Sequence, residues 1–287
     1  MRDVLDDLID QWKTGRAVGL GTVVAAFSSA PRLPGAAMAV SEEGNVSGSV
    51  SGGCVEGAVY ETAMEVLQSE RPQLQRYGFS DDDAFAVGLT CGGVIDVFVE
   101  KVDQQSFPNL DRVAQDIKEG KPVAVATVIE HPDPEWVGRR VVVWPDEAQG
   151  SIGSPRADHA VVDDVRGLLA AGKNKTLTYG ADGQRMEEGM RVFVSTFAPR
   201  PRMIVFGAID FAAALATQAA FLGYHVTVCD ARGVFATPQR FPAADEVVVQ
   251  WPDEYLQQEV EAGRVDKRTV IAVLTHDPKF DVPVLQV

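Results

Sequence analysis

The chain has 287 residues, of which 46% are hydrophobic and 23% charged, so it is long enough for about two domains with sizeable cores. Its formal net charge of −15 opposes binding to nucleic acid or to an anionic membrane surface. Three cysteines are too few for a disulfide framework, the N-terminus is not a signal peptide, and no apolar run approaches the roughly 20 residues that span a bilayer. We therefore predict a soluble cytoplasmic protein with no nucleic-acid or membrane partner.

The chain begins with an amphipathic helix and two strands. Residues 3–13 carry apolar side chains at helical spacing. Residues 17–26 and 36–40 are apolar and predict strands, joined by a Pro-rich loop that carries Arg32.

The next stretch, G-S-V-S-G-G-C-V-E-G at 48–57, combines glycines, serines and one cysteine before an amphipathic helical pattern. We predict that Cys54 lies where this loop enters the helix. Glycines let the backbone approach a ligand, and the N–H groups at a helix start attract anions and favour the thiolate form of cysteine. Glu56 falls in the first turn, where its carboxylate would compete with a bound anion. The alternative is a glycine-rich turn with a buried structural cysteine.

A second glycine–cysteine segment, G-L-T-C-G-G at 88–93, precedes a predicted strand at 94–100. Its backbone is also suited to wrapping an anion. We predict that Cys54 and Cys91 line one cleft, while Cys229 lies in the core of a different domain. A helix is predicted at 109–119.

The sequence then repeats itself. A-V-G-L-G-T-V-V at 17–24 corresponds to P-V-A-V-A-T-V-I at 122–129, and G-S-V-S at 48–51 corresponds to G-S-I-G at 150–153. We predict an internal repeat over about 17–70 and 122–172; chance similarity between two strand–loop–helix units is the alternative. Arg156 and Asp158 take the places of Cys54 and Glu56, so the second copy lacks the thiol.

After a Pro-rich linker at 197–202, the chain alternates apolar strands with helices, as in a Rossmann-like parallel-sheet domain. Gly207, Asp230 and Arg232 are the candidate nucleotide-binding residues. Ile209 replaces the glycine that lets a pyrophosphate approach, and Asp210 adds a negative charge beside it. We therefore expect no tight NAD(P) binding. With four predicted strands, the domain is shorter than usual, and we expect it to be truncated.

Four segments carry a family resemblance: A-P-R-L-P-G-A-A-M at 30–38, G-S-V-S-G-G-C-V-E at 48–56, G-L-T-C-G-G at 88–93 and T-H-D-P-K-F-D at 275–281. Together they resemble the xanthine dehydrogenase accessory factors of the XdhC/CoxI type. The resemblance implies a chaperone that binds the molybdenum cofactor (molybdopterin), protects it while a cysteine desulfurase supplies the terminal sulfur, and delivers it to a xanthine dehydrogenase-like molybdoenzyme. It implies that Cys54 is the cofactor-linked cysteine and a candidate molybdenum contact.

The sequence thus predicts an α/β protein: a pseudo-duplicated N-terminal α/β domain at 1–197 and a partial Rossmann-like domain at 198–287. The candidate cofactor-binding residues are Arg32, Ser51, Gly52, Gly53, Cys54, Glu56, Cys91, Gly92 and Gly93. We expect a homodimer, and a cofactor chaperone rather than a turnover catalyst. The alternatives are an NAD(P)-dependent oxidoreductase and a thiol-based sulfur-carrier or redox protein.

Overall fold

A computed structural model describes residues 1–78 and 93–287. The chain forms two compact units, Met1–Pro199 and Arg200–Val287. Cys91 and Gly92 lie outside the described residues, as does most of the second glycine–cysteine segment.

The first half of the N-terminal unit is a five-stranded antiparallel sheet with two helices. Its elements are α1 (Leu5–Lys13), β1 (Val18–Phe27), β2 (Ala37–Ser41), β3 (Val46–Gly48), α2 (Glu56–Ser69), β4 (Gln73–Tyr77) and β5 (Val94–Val102). The strand order is β3-β2-β1-β5-β4. β4 begins at Gln73, which pairs with Val99 of β5.

The second half has the same arrangement. Its elements are α3 (Leu110–Lys118), β6 (Val123–Glu130), β7 (Arg140–Val143), β8 (Ala148–Ser151), α4 (Pro155–Ala171), β9 (Lys175–Tyr179) and β10 (Met190–Phe197). The strand order β8-β7-β6-β10-β9 is that of the first sheet, strand for strand. Each half also places one long helix after its third strand.

Alternation along the strands determines the layers of this unit. In β1, Gly19 and Gly21 lie directly beneath Ala63 and Val59 of α2, which lets the helix approach the sheet closely. Residues on the other face of the strand, such as Val24, join a buried cluster with Phe98, Ile129 and Phe193, so the two sheets pack against each other. The helices α2 and α4 each cover one sheet with a separate apolar core.

The second unit has a parallel four-stranded sheet. Its elements are β11 (Arg202–Phe206), α5 (Asp210–Phe221), β12 (His225–Cys229), β13 (Glu246–Val248), α6 (Pro252–Glu261), β14 (Val270–Val273) and α7 (Pro278–Val284). The order β13-β12-β11-β14 is that of the first four strands, 3-2-1-4, of a Rossmann fold. The predicted fold class, a pseudo-duplicated α/β domain followed by a partial Rossmann-like parallel-sheet domain, is confirmed; the antiparallel pairing within the two N-terminal sheets was not part of the prediction.

Candidate functional site

Several motif-bearing loops lie at the same end of the strands of the first sheet. β1 ends at Phe27, which pairs with Val94 at the start of β5, and β3 ends at Gly48, which pairs with Met38 at the start of β2. The loops at 28–36 and 49–55 and the residue Gly93 therefore lie at one end of the sheet. We call these residues the motif edge.

Packing brings the parts of the motif edge into contact. Gly93 lies so close to the 28–36 loop that a Cβ on it would be 2.7 Å from the Cα of Ala30. Ala30 and Cys54 both pack on the apolar core between α2 and the first sheet. Gly93 is the part of the second glycine–cysteine segment that the structure describes, and it lies at this edge. The prediction that Cys91 shares a cleft with Cys54 stays a prediction, because Cys91 is outside the described residues.

The loop before α2 folds around the carboxylate of Glu56. Seven hydrogen bonds reach its two oxygens, at distances of 2.6–3.2 Å. The donors are the Ser49 hydroxyl, the N–H groups of Val50, Gly52, Gly53 and Val55, and both the N–H and the hydroxyl of Ser51. The backbone amides expected to hold an external anion thus bind an anion of the chain itself.

The electrostatics follow from this geometry. Burial opposes the charge on Glu56, but the hydrogen bonds from Ser49 and Ser51 outweigh it and hold the pKa of the carboxyl well below its usual range. Glu56 is therefore ionised at any physiological pH. The sequence signal for this arrangement is the pair of serines placed seven and five residues before an acid in the first helical turn.

Cys54 lies near the end of the same loop, two residues before α2 begins, and is partly exposed. Its N–H donates to the Ser51 hydroxyl at 2.9 Å. On its N-terminal side, Gly52 and Gly53 have φ angles of +86° and +116°, and a Cβ on either residue would meet no atom of residues 1–78 or 93–287 within 4 Å. Among these described residues the backbone next to the thiol is uncovered, which leaves room for a bulky ligand.

Arg32 lies on the 28–36 loop of the motif edge. Its guanidinium pairs with Asp3 at 2.5 Å and is partly exposed. The α-amino group of Met1 donates to the Gly35 carbonyl at 2.9 Å, so the N-terminus lies against this loop. Burial is the main cause that lowers the pKa of this amino group to about 6.

The equivalent loop in the second half is built differently. Asp158, the counterpart of Glu56, accepts one backbone bond, from Ile152 at 2.8 Å. Trp136 covers the loop: a Cβ on Gly153 would lie 2.2 Å from its ring. Arg156, in the place of Cys54, is about 4.0 Å from Asp182. Within the described part of the chain, the second loop is thus covered by a tryptophan ring at Gly153, whereas the first has no cover over Gly52 and Gly53.

The second unit places its predicted nucleotide residues together but engages them internally. Asp230, at the end of β12, accepts four bonds of 2.8–2.9 Å, one from the Ala208 amide and three from Arg232. Gly207 has φ +111° and lies against Thr275, which follows β14. Ile209 packs into the core of this unit and Asp210 is fully exposed. The carboxylate that contacts ribose in dinucleotide-binding folds is therefore saturated by its own chain.

Cys229 is fully buried at the end of β12, as predicted. Burial, with a smaller effect of Asp230, raises its pKa to about 12, so it is protonated and unreactive. Among residues 1–78 and 93–287, no group of three or more His, Cys, Asp or Glu side chains is placed to hold a metal ion. In the same residues, no helix is long and apolar enough to cross a membrane.

Two family models match the chain. One, described as the XdhC and CoxI family, matches residues 11–78 and 116–180, and the other, described as the XdhC Rossmann domain, matches residues 203–287. The chain belongs to the XdhC and CoxI family. The resemblance inferred from the motifs is confirmed, and the two stretches matched by the first model fall in the two equivalent halves of the N-terminal unit.

Curated relatives of this XdhC-family chain include two bacterial proteins. One is a probable xanthine dehydrogenase subunit of Bacillus subtilis, which is 27% identical over 245 residues, covering 83% of this chain and 67% of that protein. The molybdenum cofactor insertion chaperone PaoD of Escherichia coli is 27% identical over 285 residues, covering 99% of this chain and 67% of that protein.

A solved structure has the same fold. It is described as a xanthine dehydrogenase from Bacillus halodurans and superposes with a TM-score of 0.67 over 98% of this chain and 77% of that one, at 24% identity. This match supports the two-unit architecture.

Proposed function

We propose that this chain is a molybdenum cofactor insertion chaperone that binds a molybdopterin-type cofactor and delivers it to a xanthine dehydrogenase-like molybdoenzyme. Family membership and the two relatives support the proposal, one named as such a chaperone and the other as part of a xanthine dehydrogenase. The observation that carries it is the position of Cys54 at the motif edge, in a loop that no described residue covers at Gly52 and Gly53.

The residues at the motif edge fit such a cofactor. A thiolate is a soft ligand suited to molybdenum or to sulfur chemistry. The open backbone at Gly52 and Gly53 leaves space for a bulky pterin beside Cys54. Because Glu56 occupies the loop amides, we propose Arg32 as the cation that contacts the cofactor phosphate. We place Cys91, Gly92 and Gly93 on the opposite wall of the same cleft.

Three finer features belong to the same proposal. The chaperone would hold the cofactor while a cysteine desulfurase supplies the terminal sulfur, and a bound cofactor would be shielded from oxidation during this step. We propose that the chain acts as a homodimer. The Rossmann-like unit would contribute to the dimer or to contacts with the client enzyme, since its acidic nucleotide-binding residue is saturated internally.

Reconstitution of a cofactor-free client enzyme tests this function. The chain is purified from cells that make the cofactor and mixed with an apo xanthine dehydrogenase-like enzyme, and the recovery of hydroxylase activity is followed over time. We expect faster and more complete recovery than with the same amount of free cofactor. Equal recovery with a cofactor-loaded unrelated protein would contradict an insertion role.

A further inference from the structure

Glu56 is poorly suited to contact a cofactor directly. A carboxylate offers about four lone-pair positions, and seven donors of the loop already surround those of Glu56. Any ligand group at these oxygens would have to displace bonds that the loop makes to itself. A role other than direct cofactor binding, which was predicted from its place in the motif, is therefore better suited to Glu56.

We propose that Glu56 is a positioning residue, whose carboxylate folds residues 49–55 into the conformation that presents Cys54 to the cofactor. This inference rests on the proposed function. The carboxylate joins both ends of the loop: it accepts from Ser49, where the chain leaves β3, and from Val55, where it enters α2. Between these points it fixes the amides of Gly52 and Gly53, the two residues that precede the thiol.

The hydroxyl of Ser51 extends this control to the cysteine itself. It donates to Glu56 at 2.6 Å and accepts the N–H of Cys54 at 2.9 Å. The Ser49 hydroxyl does the same for Gly52, donating to Glu56 and accepting the glycine N–H at 2.9 Å. The Ser51 hydroxyl thus links the Glu56 carboxylate to the backbone N–H of Cys54 and helps to fix its position.

The second half of the N-terminal unit shows that this fold does not need the arrangement for stability alone. Its loop has the same place after a third strand and before a long helix, yet Asp158 accepts a single bond from Ile152. That loop is stabilised instead by the Trp136 ring over Gly153. The seven hydrogen bonds to a carboxylate therefore occur in the half whose loop carries the cysteine, and not in the half whose loop is covered by Trp136.

Three substitutions distinguish the effects of the charge and length of the Glu56 side chain from a general loss of structure. Glu56→Gln keeps the size of the side chain but replaces one acceptor oxygen with an N–H donor, which faces other donors. Glu56→Asp keeps the charge and draws it back by one methylene. Asp158→Asn is the matched control, because it makes the same chemical change at the equivalent position of the second half.

Two readouts need no cofactor. In Glu56→Gln we expect faster hydrogen–deuterium exchange in the peptide that spans 49–55, and a changed rate of Cys54 alkylation by iodoacetamide. Asp158→Asn should leave both at the wild-type value. Circular dichroism and the thermal midpoint establish that each variant is folded. Wild-type exchange in a folded Glu56→Gln variant would overturn the inference.

A double-mutant cycle with cofactor distinguishes positioning from a structural role. Pterin retained per folded chain is measured for wild type, Glu56→Gln, Cys54→Ser and the double variant after expression in cofactor-producing cells. We expect Glu56→Gln to lower retention about tenfold, equivalent to about 1.4 kcal/mol, and to add nothing in the Cys54→Ser background. Glu56→Asp should recover part of the loss.

The retention values distinguish the positioning role of Glu56 from the cofactor-binding function of the chain. Equal losses from Glu56→Gln in both backgrounds would show that Glu56 acts independently of Cys54 and overturn the positioning role. Full retention in Glu56→Gln with loss in Cys54→Ser would overturn the same inference and leave the proposed function intact. Full retention in Cys54→Ser would contradict the cofactor role of the loop itself.

Discussion

At the end of β12, the carboxylate of Asp230 is held by the Ala208 amide and by the fork of Arg232. A ribose hydroxyl would have to displace one of these charge-assisted bonds. The fully exposed carboxylate of Asp210, which pairs with Arg240 at 3.4 Å, lies beside the Gly207 turn where a pyrophosphate would bind. We expect NAD and NADP to bind in the millimolar range or not at all. Calorimetric titration of the full chain with NAD, NADP and ATP measures this.

The matched variant for this prediction is Arg232→Ala, which removes the two guanidinium bonds to Asp230 and keeps the two backbone bonds. If internal pairing is what blocks the ribose site, the variant should bind NAD more tightly than wild type. Micromolar binding of NAD or NADP to the wild-type chain would contradict the prediction and support the oxidoreductase alternative.

Glu259 on α6 gives a pH-dependent prediction. Arg264, acting against burial and together with Arg202, lowers its pKa to about 2. Since the folded pKa lies below that of the unfolded chain, this pairing stabilises the fold above about pH 4.5 and its contribution is lost as the pH falls toward 2. Glu259→Gln should therefore lower the free energy of unfolding at pH 7 by about 2–3 kcal/mol. Urea unfolding at several pH values measures the difference, which should shrink below pH 4.5; a difference that persists undiminished at pH 2 would contradict the assignment.

At the scale of elements, the two sheets of the N-terminal unit are joined by a buried ion pair. Glu100 of β5 accepts from Arg140 of β7 at 2.6 Å, both side chains are 9% exposed, and the guanidinium lies 4.5 Å from the centre of the Phe107 ring. Burial raises the pKa of Glu100, and Arg140 opposes that shift. Glu100→Ala leaves a buried cation unpaired and should destabilise the unit by about 3–5 kcal/mol. Chemical unfolding of the purified variant gives the value.

Two control variants accompany the unfolding measurement on Glu100→Ala. The double variant Glu100→Leu with Arg140→Met replaces the pair by apolar side chains and should recover most of the lost stability. Glu147→Ala removes a partner of Arg112 from a partly exposed pair and should leave the unfolding midpoint nearly unchanged. A Glu100→Ala variant as stable as the wild type would show that the pair does not hold the sheets together.

The Glu100–Arg140 pair is an example of a contact between elements that the sequence did not predict. Hydrophobic periodicity predicted β5 as a strand, and the glycine loop predicted a helix start, which the structure places at Glu56. Glu100 and Arg140 are 40 residues apart, and their contact depends on how two sheets stack. Neither residue has a local pattern that indicates a partner, so the pair was not predictable.

For the whole molecule, the division between a repeated N-terminal α/β unit and a parallel Rossmann-like sheet followed from local patterns, whereas the antiparallel pairing of the N-terminal strands did not. The Gly207 turn between a strand and a helix, with an acid at Asp230, was sufficient for the second fold class. The internal use of the anion sites was not predicted. Glu56 was predicted to compete with a bound anion, and Arg232 was a candidate nucleotide-binding residue. That their side chains bind partners within the chain depends on glycine φ angles and strand ends that only the folded chain defines.

The proposed role of Cys54 as the anchor of the molybdenum cofactor is central to the function of the whole chain. The most direct measurement is the pterin and molybdenum content of the full chain purified from cofactor-producing cells, for wild type, Cys54→Ser and Cys229→Ser. Cys54→Ser should fold normally, because the change is small and lies at a partly exposed loop position, and should lose most of the pterin. The buried, protonated Cys229 should be dispensable for retention. Unchanged pterin in a folded Cys54→Ser variant would contradict the account.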